Sequence, residues 1–451
     1  MGNELDKPIL DKNSYDEENK YIKFGVSSLQ GWTTQMEDYY FYSIDIVPNS
    51  DKNIDIFGIM DGHRGPEVAK YISTHFIDTL LSNPSFKEDN YSEALRETFL
   101  QIDKNLNTDQ AKKELIKISE DLKLSEEKEI ISIKQLYKPE DSLNEKEIEQ
   151  IKYIKDILNP NNLINCNIPS YSGCSGIVIL VTNNIIYIAN AGDCRCIPLN
   201  ENYEVITDKS NKLHLINNDN EKKRIQDSLN FKEKKFYPEF LETTRGLGNF
   251  EYKQNKWLKP EDQAFSPQPE VIEINYEECK YLIIGSHGLF DENKDMESYD
   301  KYNKYVALYF TEELKKDNNI KFSNIIEEYL DFIVPKKKKD INLSKSFMDN
   351  MTCFLIELFN RPKYAIEEKK EERRKRKVKI MLDEIEKPSK LKKDKPRNKS
   401  MKNLLSFFTN INLKNDIKES KESKENKENK EKEVKKKLDT SASFSSFFKL
   451  K

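Results

Sequence analysis

Apolar positions recur along this chain at two spacings, and each spacing predicts a different element. Short unbroken apolar runs bounded by polar or turn residues read as buried strands. Ile54-Asp55-Ile56-Phe57-Gly58-Ile59-Met60 is one, and Gly176-Ile177-Val178-Ile179-Leu180-Val181 is another. Asn183-Asn184 is a turn signal, and Ile185-Ile186-Tyr187-Ile188-Ala189 follows it, so these two runs form a hairpin. Tyr281 to Ile284 and Cys353 to Ile356 are two further strands. Between Pro66 and Leu81 the apolar residues Val68, Ala69, Ile72, Phe76 and Leu80 fall at helical spacing, and Pro66 suits a first turn. Ser92 to Leu106 is a second amphipathic helix. This alternation runs from about Tyr21 to about Leu358.

Outside it the pattern fades. Residues 1–20 are polar and read as a loose leader. Residues 108–165, rich in Lys, Glu and Ile with almost no Gly, read as a helical insertion inside a domain spanning 21–360. Residues 361–451 form a charged, low-complexity tail expected to be disordered. Its Lys418 to Lys437 stretch repeats Lys-Glu-Ser and Lys-Glu-Asn units that cannot bury a core. Ala365 to Lys387 reads as one helix. Two islands, Leu404-Leu405-Ser406-Phe407-Phe408 and Ser441 through Phe448, have the character of docking peptides for a partner. Composition agrees: hydrophobic residues make up only 36% of the chain, too few for one compact globule of this length.

Charge excludes more than it suggests. Seventy-five basic residues against 79 acidic leave a net charge of -4, so no global field favours nucleic acid or membrane. Arg373-Arg374-Lys375-Arg376-Lys377 follows Glu368, Glu371 and Glu372, which is the pattern of a solvated helix face; nuclear import is the alternative use. No RNA- or DNA-binding motif is visible. Six cysteines contain no CxxC pair, which fits free thiols in a reducing, cytoplasmic setting. Gly2 permits N-myristoylation, although Asp6 stands where that motif wants Ser or Thr. Membrane association is expected only through that lipid.

The chemistry sits in short acidic clusters beside the strand-like runs. Glu37-Asp38 precedes the apolar-aromatic run Tyr39 to Ile44, Asp61-Gly62-His63 ends one strand, Asp193 follows another, and Asp349-Asn350 begins a third. Carboxylates and backbone carbonyls are the donors that Mg²⁺ and Mn²⁺ prefer. Two such ions polarise phosphoryl oxygens and lower the pKa of a bridging water, so a metal-dependent hydrolase is the leading reading.

The same residues spell an ordered series. Gly31-Trp32-Thr33-Thr34-Gln35-Met36-Glu37-Asp38, Met60-Asp61-Gly62-His63-Arg64-Gly65, Ala189-Asn190-Ala191-Gly192-Asp193-Cys194-Arg195, Thr244-Arg245-Gly246-Leu247-Gly248-Asn249-Phe250, Gly285-Ser286-His287-Gly288-Leu289-Phe290-Asp291 and Asp349-Asn350-Met351-Thr352 follow one another. They closely resemble the motifs of the metal-dependent, type 2C (PPM-type) protein serine/threonine phosphatases. The resemblance implies an α+β fold, a four-layer α-β-β-α sandwich of two antiparallel sheets flanked by helices, with metals at one end. It implies hydrolysis of phosphoserine and phosphothreonine in phosphoprotein substrates by two Mn²⁺ or Mg²⁺ ions. Asp61 is then expected to bridge the ions, the Gly62 carbonyl to ligate one, Asp349 to hold the other, and Glu37 to act through water. Asp38 orients ligands, His63 protonates the leaving oxygen, and Asp193 helps hold a third, weaker ion.

Four departures accompany the resemblance. His287 replaces a metal-ligating aspartate; imidazole still binds Mn²⁺, but the site loses a negative charge. Thr33 replaces the arginine that grips substrate phosphate, and one hydroxyl is a weak substitute for a charged fork. Asn249 removes a further carboxylate. The flap carries Leu213-His214-Leu215-Ile216 and Ser228-Leu229 in place of Asp-His-x-Pro and a glycine pair. Two functions fit: an attenuated, Mn²⁺-preferring phosphatase, or a catalytically inactive pseudophosphatase that serves as a binding module. The retained Asp61 and His63 favour the first.

Overall fold

The computed structural model describes residues 4–48, 50, 52–122, 167–229, 243–290, 296–317, 319–337 and 346–362. All belong to the first of the two units into which the chain divides, Met1–Glu367 and Glu368–Lys451. The expectations for residues 123–165, for the tail from 363 onward, for its basic run and aromatic islands, and for Gly2 lie outside the described residues.

Two antiparallel sheets stack face to face. The first, in the order β1 (Glu4–Glu18), β2 (Ile22–Thr33), β11 (Met351–Leu358), β10 (Tyr281–Gly285), β7 (Arg195–Leu199), has five strands. The second runs β3 (Asp38–Ser43), β4 (Asp55–His63), β5 (Gly173–Val181), β6 (Ile185–Ala191), β9 (Glu270–Asn275), with the short β8 (Leu247–Gly248) on β5. The Asn183-Asn184 hairpin forms as expected: β5 pairs with β6, and the Thr182 amide donates to the Ile185 carbonyl at 3.0 Å.

Helices cover both outer faces. On the second sheet lie α1 (Glu67–Ser82) and α2 (Tyr91–Asn105); on the first lie α4 (Met296–Lys316) and α5 (Phe322–Ile333). A further helix, α3 (Asp219–Leu229), belongs to the flap. Strands buried on both faces explain the unbroken apolar runs, because neither face can be polar. Ile177, Ile179 and Val181 point into the sandwich with Phe24, Phe57, Ile284 and Phe354, while Val178 and Leu180 on the same strand meet α1 and α2. On β11, Phe354 and Ile356 face inward and Cys353 and Leu355 face α4 and α5. The expected four-layer sandwich is the observed one.

The leader expectation needs correction. Residues 4–18 are not loose; they form β1, the edge of the first sheet, paired with β2. The segment shows little apolar periodicity because it is held by backbone pairing and polar side chains instead. Asp16 Oδ1 accepts the Ser323 amide at 2.9 Å and so caps the first turn of α5, Lys12 Nζ donates to Asp331 at 3.0 Å, and Tyr15 stacks on Tyr42 at 5.5 Å. A charged edge strand also resists pairing with other chains. The start of the expected insertion, residues 109–122, is helical and buries Ala111 and Leu115 in the α1–α2 layer.

Cys174, Cys194, Cys196, Cys279 and Cys353 are free and buried, and Cys166 lies outside the described residues. Among the described residues no helix is long and apolar enough to cross a membrane.

Candidate metal and catalytic site

Strand ends from both sheets deliver the acidic clusters to one end of the sandwich. Asp38 opens β3 directly opposite Asp61 near the end of β4, and Asp61 lies opposite Ser175 on β5. Asp349 stands two residues before β11, whose Cys353 pairs with Gly285 at the end of β10. His287 follows that end by two residues. Its backbone N–H donates to Asp61 Oδ2 at 2.7 Å, so the turn after β10 touches the end of β4.

Backbone amides moor the carboxylates. Glu37 Oε1 accepts the Gly65 N–H at 2.9 Å and Asp349 Oδ1 accepts the Asn350 N–H at 2.8 Å. Each bond fixes one oxygen and orients the other. Asn350, buried, pins the surrounding loop: its Oδ1 accepts the Glu37 N–H at 2.7 Å, and its Nδ2 donates to the Gln30 carbonyl at 2.8 Å and to Thr33 Oγ1 at 2.6 Å. Thr33 Oγ1 in turn lies within donating distance of the Gln30 and Gln35 carbonyls, at 3.1 and 2.9 Å. The single Thr33 proton is therefore already engaged. Thr33→Val should cost about 1–2 kcal/mol in urea unfolding and leave the phosphopeptide KM within about twofold; a large rise in KM would show that the hydroxyl binds phosphate after all.

The carboxylates push on one another. Burial, aided by the charges of Asp349, Glu67 and Asp38, raises Glu37 to about 7 against its Gly65 hydrogen bond. Burial, aided by the Asp349 charge, also raises Asp38 to about 7. Asp61 lies well above the usual carboxylate range, first from burial and then from Asp38, Asp193 and Asp349. Asp193 differs. Burial would raise it, but the His287 ring, the His287 charge and the Ser175 hydroxyl hold it down to about 2.

Among the described residues no three His, Cys, Asp or Glu side chains already close a metal cage. The donor set nevertheless suits hard cations. Asp38 Oδ2, buried, has no hydrogen-bond partner among the described residues. Glu37, Asp38, Asp61 and Asp349 crowd together so that their ionised forms are disfavoured without a cation. Gly62 has no room for a Cβ, which would strike the Glu37 carbonyl. Asp61, Asp349, Glu37 and the Gly62 carbonyl are the groups that would hold such ions, whose chemistry when bound is to polarise phosphoryl oxygen and acidify water.

His63 ends β4 beside this cluster. Its Nε2 lies 2.6 Å from Asn249 Oδ1, and Asn249 Nδ2 donates to the Tyr171 carbonyl at 2.8 Å. That second bond orients the amide, so Oδ1 accepts and His63 Nε2 carries the proton. Burial lowers the His63 pKa, partly offset by Asn249. Asn249 sits at φ 50°, a left-handed conformation that asparagine tolerates.

A family match over most of the folded region accompanies this fold. The protein phosphatase 2C model matches residues 22–123 and 118–309. The chain belongs to the protein phosphatase 2C family. It is thus a hydrolase, a member of a metal-dependent family of protein serine/threonine phosphatases. It is 30% identical over 363 residues to "Probable protein phosphatase 2C 2" of Paramecium tetraurelia, covering 79% of this chain and 99% of that protein. The same identity and coverage hold for "Protein phosphatase 2C 1" of the same organism. A crystal structure of a phosphatase from a pathogenic strain of Toxoplasma gondii aligns over 78% of this chain and 96% of its own, at 14% identity and a TM-score of 0.49.

The flap walls the site. A cavity of about 1210 Å³ is lined by Asp193, His287, Lys212, His214, Arg245 and Glu270, among others. His214 is buried and its Nδ1 lies 3.2 Å from the Gly192 backbone, tying the flap to the Asp193 loop. Glu221 on α3 binds Arg245 at 2.5 Å, Arg224 at 2.6 Å and the Thr244 hydroxyl at 2.6 Å. Burial opposes its ionisation, yet the Arg245 hydrogen bond and both guanidinium charges hold its pKa down to about 2. A depressed carboxylate pKa contributes stability above the unfolded value and loses it as pH falls through the folded one. Glu221→Gln should therefore cost about 3 kcal/mol at pH 7, with the deficit shrinking between about pH 4.5 and pH 2 in denaturant unfolding. An equal deficit at pH 7 and pH 2.5 would refute the ionic account.

Sequence reasoning missed Asn350 as the pin of the loop and Ser175 as the Asp193 donor. The signal for Asn350 was its adjacency to Asp349; nothing in the sequence marked Ser175.

Proposed function

We propose that the chain hydrolyses phosphoserine and phosphothreonine in proteins through a binuclear Mn²⁺ or Mg²⁺ centre on Asp61, Asp349, Glu37 and the Gly62 carbonyl. The observation that carries this is the convergence of Asp61, Asp349, Glu37 and Asp38 at one end of the sandwich, close enough for each charge to raise its neighbours' pKa values. Asp38, opposite Asp61, orients the bridging carboxylate.

His63 supplies the proton to the leaving serine or threonine oxygen. The acid is the imidazolium form, whose Nε2–H is held against Asn249 Oδ1 and whose loss of one proton leaves neutral imidazole. An amide oxygen accepts the hydrogen bond but cannot take the proton, so His63 keeps it until a leaving oxygen competes. With the Thr33 hydroxyl engaged by the loop, no side chain at position 33 grips the phosphate, and affinity for substrate rests on the ions. This predicts a weak KM and a preference for Mn²⁺ concentrations that saturate the centre.

The second reading, a silent binding module, draws on Thr33 and His287. A phosphopeptide assay across Mn²⁺ and Mg²⁺ series separates the two. Turnover that rises with Mn²⁺ and vanishes with EDTA supports catalysis; no turnover above the Asp61→Asn background supports the module.

A further inference from the structure

Both oxygens of the Asp193 carboxylate are already occupied by protein donors. Ser175 Oγ donates to Oδ1 at 2.8 Å, and His287 Nδ1 lies 3.1 Å from Oδ2. The pair is buried at Asp193 and lies on the wall of the flap cavity, where an ion arriving from solvent would meet it. Arg195 adds a protein cation to this region. Its guanidinium stacks on Phe290 at 4.6 Å and Tyr299 at 4.7 Å, near enough to Asp193 for the two charges to interact.

His287 has little freedom to leave. Its backbone N–H is bound to Asp61, and its carbonyl accepts the Phe290 amide at 3.0 Å. The next residue, Gly288, packs so closely on the Asn350 carbonyl that a Cβ there would clash. The turn bearing the imidazole is thus fixed on both sides.

We propose that the His287–Asp193 pair takes the place of a third divalent ion, so that the centre loads two ions and excludes one beside Asp193. The inference rests on the binuclear reading above and deepens it. A third ion would need an Asp193 oxygen and a second anionic donor nearby. Here position 287 offers an imidazole whose Nδ1 is turned onto that same oxygen. The exchange replaces a weak, dissociable cation with a permanent protein group, and the part of the centre near Asp193 no longer varies with metal concentration.

The test counts ions. Free Mn²⁺ is measured by electron paramagnetic resonance against added Mn²⁺ at millimolar concentration, for the full chain and its variants. His287→Asp should bind one more ion than the wild type, and adding Asp193→Asn to that variant should remove the extra ion. In the wild type, Asp193→Asn alone should leave the count unchanged. Equal counts for wild type and His287→Asp, or loss of an ion on Asp193→Asn alone, would overturn the inference. Should His287→Asp fail to fold, the Asp193→Asn comparison decides by itself. A wild-type count below two sinks the binuclear reading, whereas the differences between variants still decide the role of the pair.

Discussion

Asp61→Asn will abolish Mn²⁺-dependent turnover and, in the same protein without metal, raise stability. If Asp61 bridges the two ions as proposed, the activity loss should reach about 10³-fold, because its removal forfeits several kcal/mol of transition-state charge stabilisation. The stability gain arises because burial, and then the charges of Asp38, Asp193 and Asp349, disfavour ionised Asp61 in the metal-free fold, whereas the unfolded chain ionises it freely. Removing that ionisable group should return about 2 kcal/mol. Asparagine keeps an oxygen for the His287 N–H, so the local geometry survives. Urea unfolding in EDTA reads the gain, and a metal-free variant less stable than the wild type would contradict it.

The same crowding sets the pH dependence of the metal-free protein. Glu37 and Asp38, both raised to about 7, hold protons in the folded state that the unfolded chain has already released above about pH 4.5. Folded protein then binds more protons than unfolded, and stability falls as pH rises from about 4 to about 7. Bound Mn²⁺ should flatten that slope, since it stabilises the ionised forms.

His63→Gln carries the second large effect. Loss of a proton donor to the leaving oxygen should lower kcat on a phosphoserine peptide by about 10²–10³-fold. On p-nitrophenyl phosphate the loss should stay below about tenfold, because nitrophenolate leaves without protonation. Glutamine can still donate to Asn249 Oδ1, so the Mn²⁺ count should not change. Equal losses on both substrates would show that His63 shapes the site rather than protonating the leaving group.

What the sequence revealed and what it hid follow one physical rule. Strands buried on both faces, such as β4 and β5, write themselves as unbroken apolar runs, and α1 and α2 show helical spacing because one side meets a sheet. β1 left no such mark. It is an edge strand held by backbone pairing, by Asp16 capping α5 and by Lys12 on Asp331. The residues that gather at the site were legible because Asp61, Gly62, His63, Asp193 and Asp349 stand at strand ends within an ordered series. How they engage one another was not. That Thr33 braces Asn350, that Asn249 orients His63, and that His287 closes on Asp193 all depend on contacts between residues distant in the chain, 317 apart for Thr33 and Asn350 and 186 for His63 and Asn249.

The central claim is that two ions share Asp61 at the end of the sandwich. Anomalous diffraction from Mn²⁺-loaded crystals addresses it directly. The account predicts two manganese peaks about 3.5–4 Å apart, one on either side of the Asp61 carboxylate, with Asp349 at one and the Gly62 carbonyl at the other. A single peak, or two peaks that do not share Asp61, would contradict it.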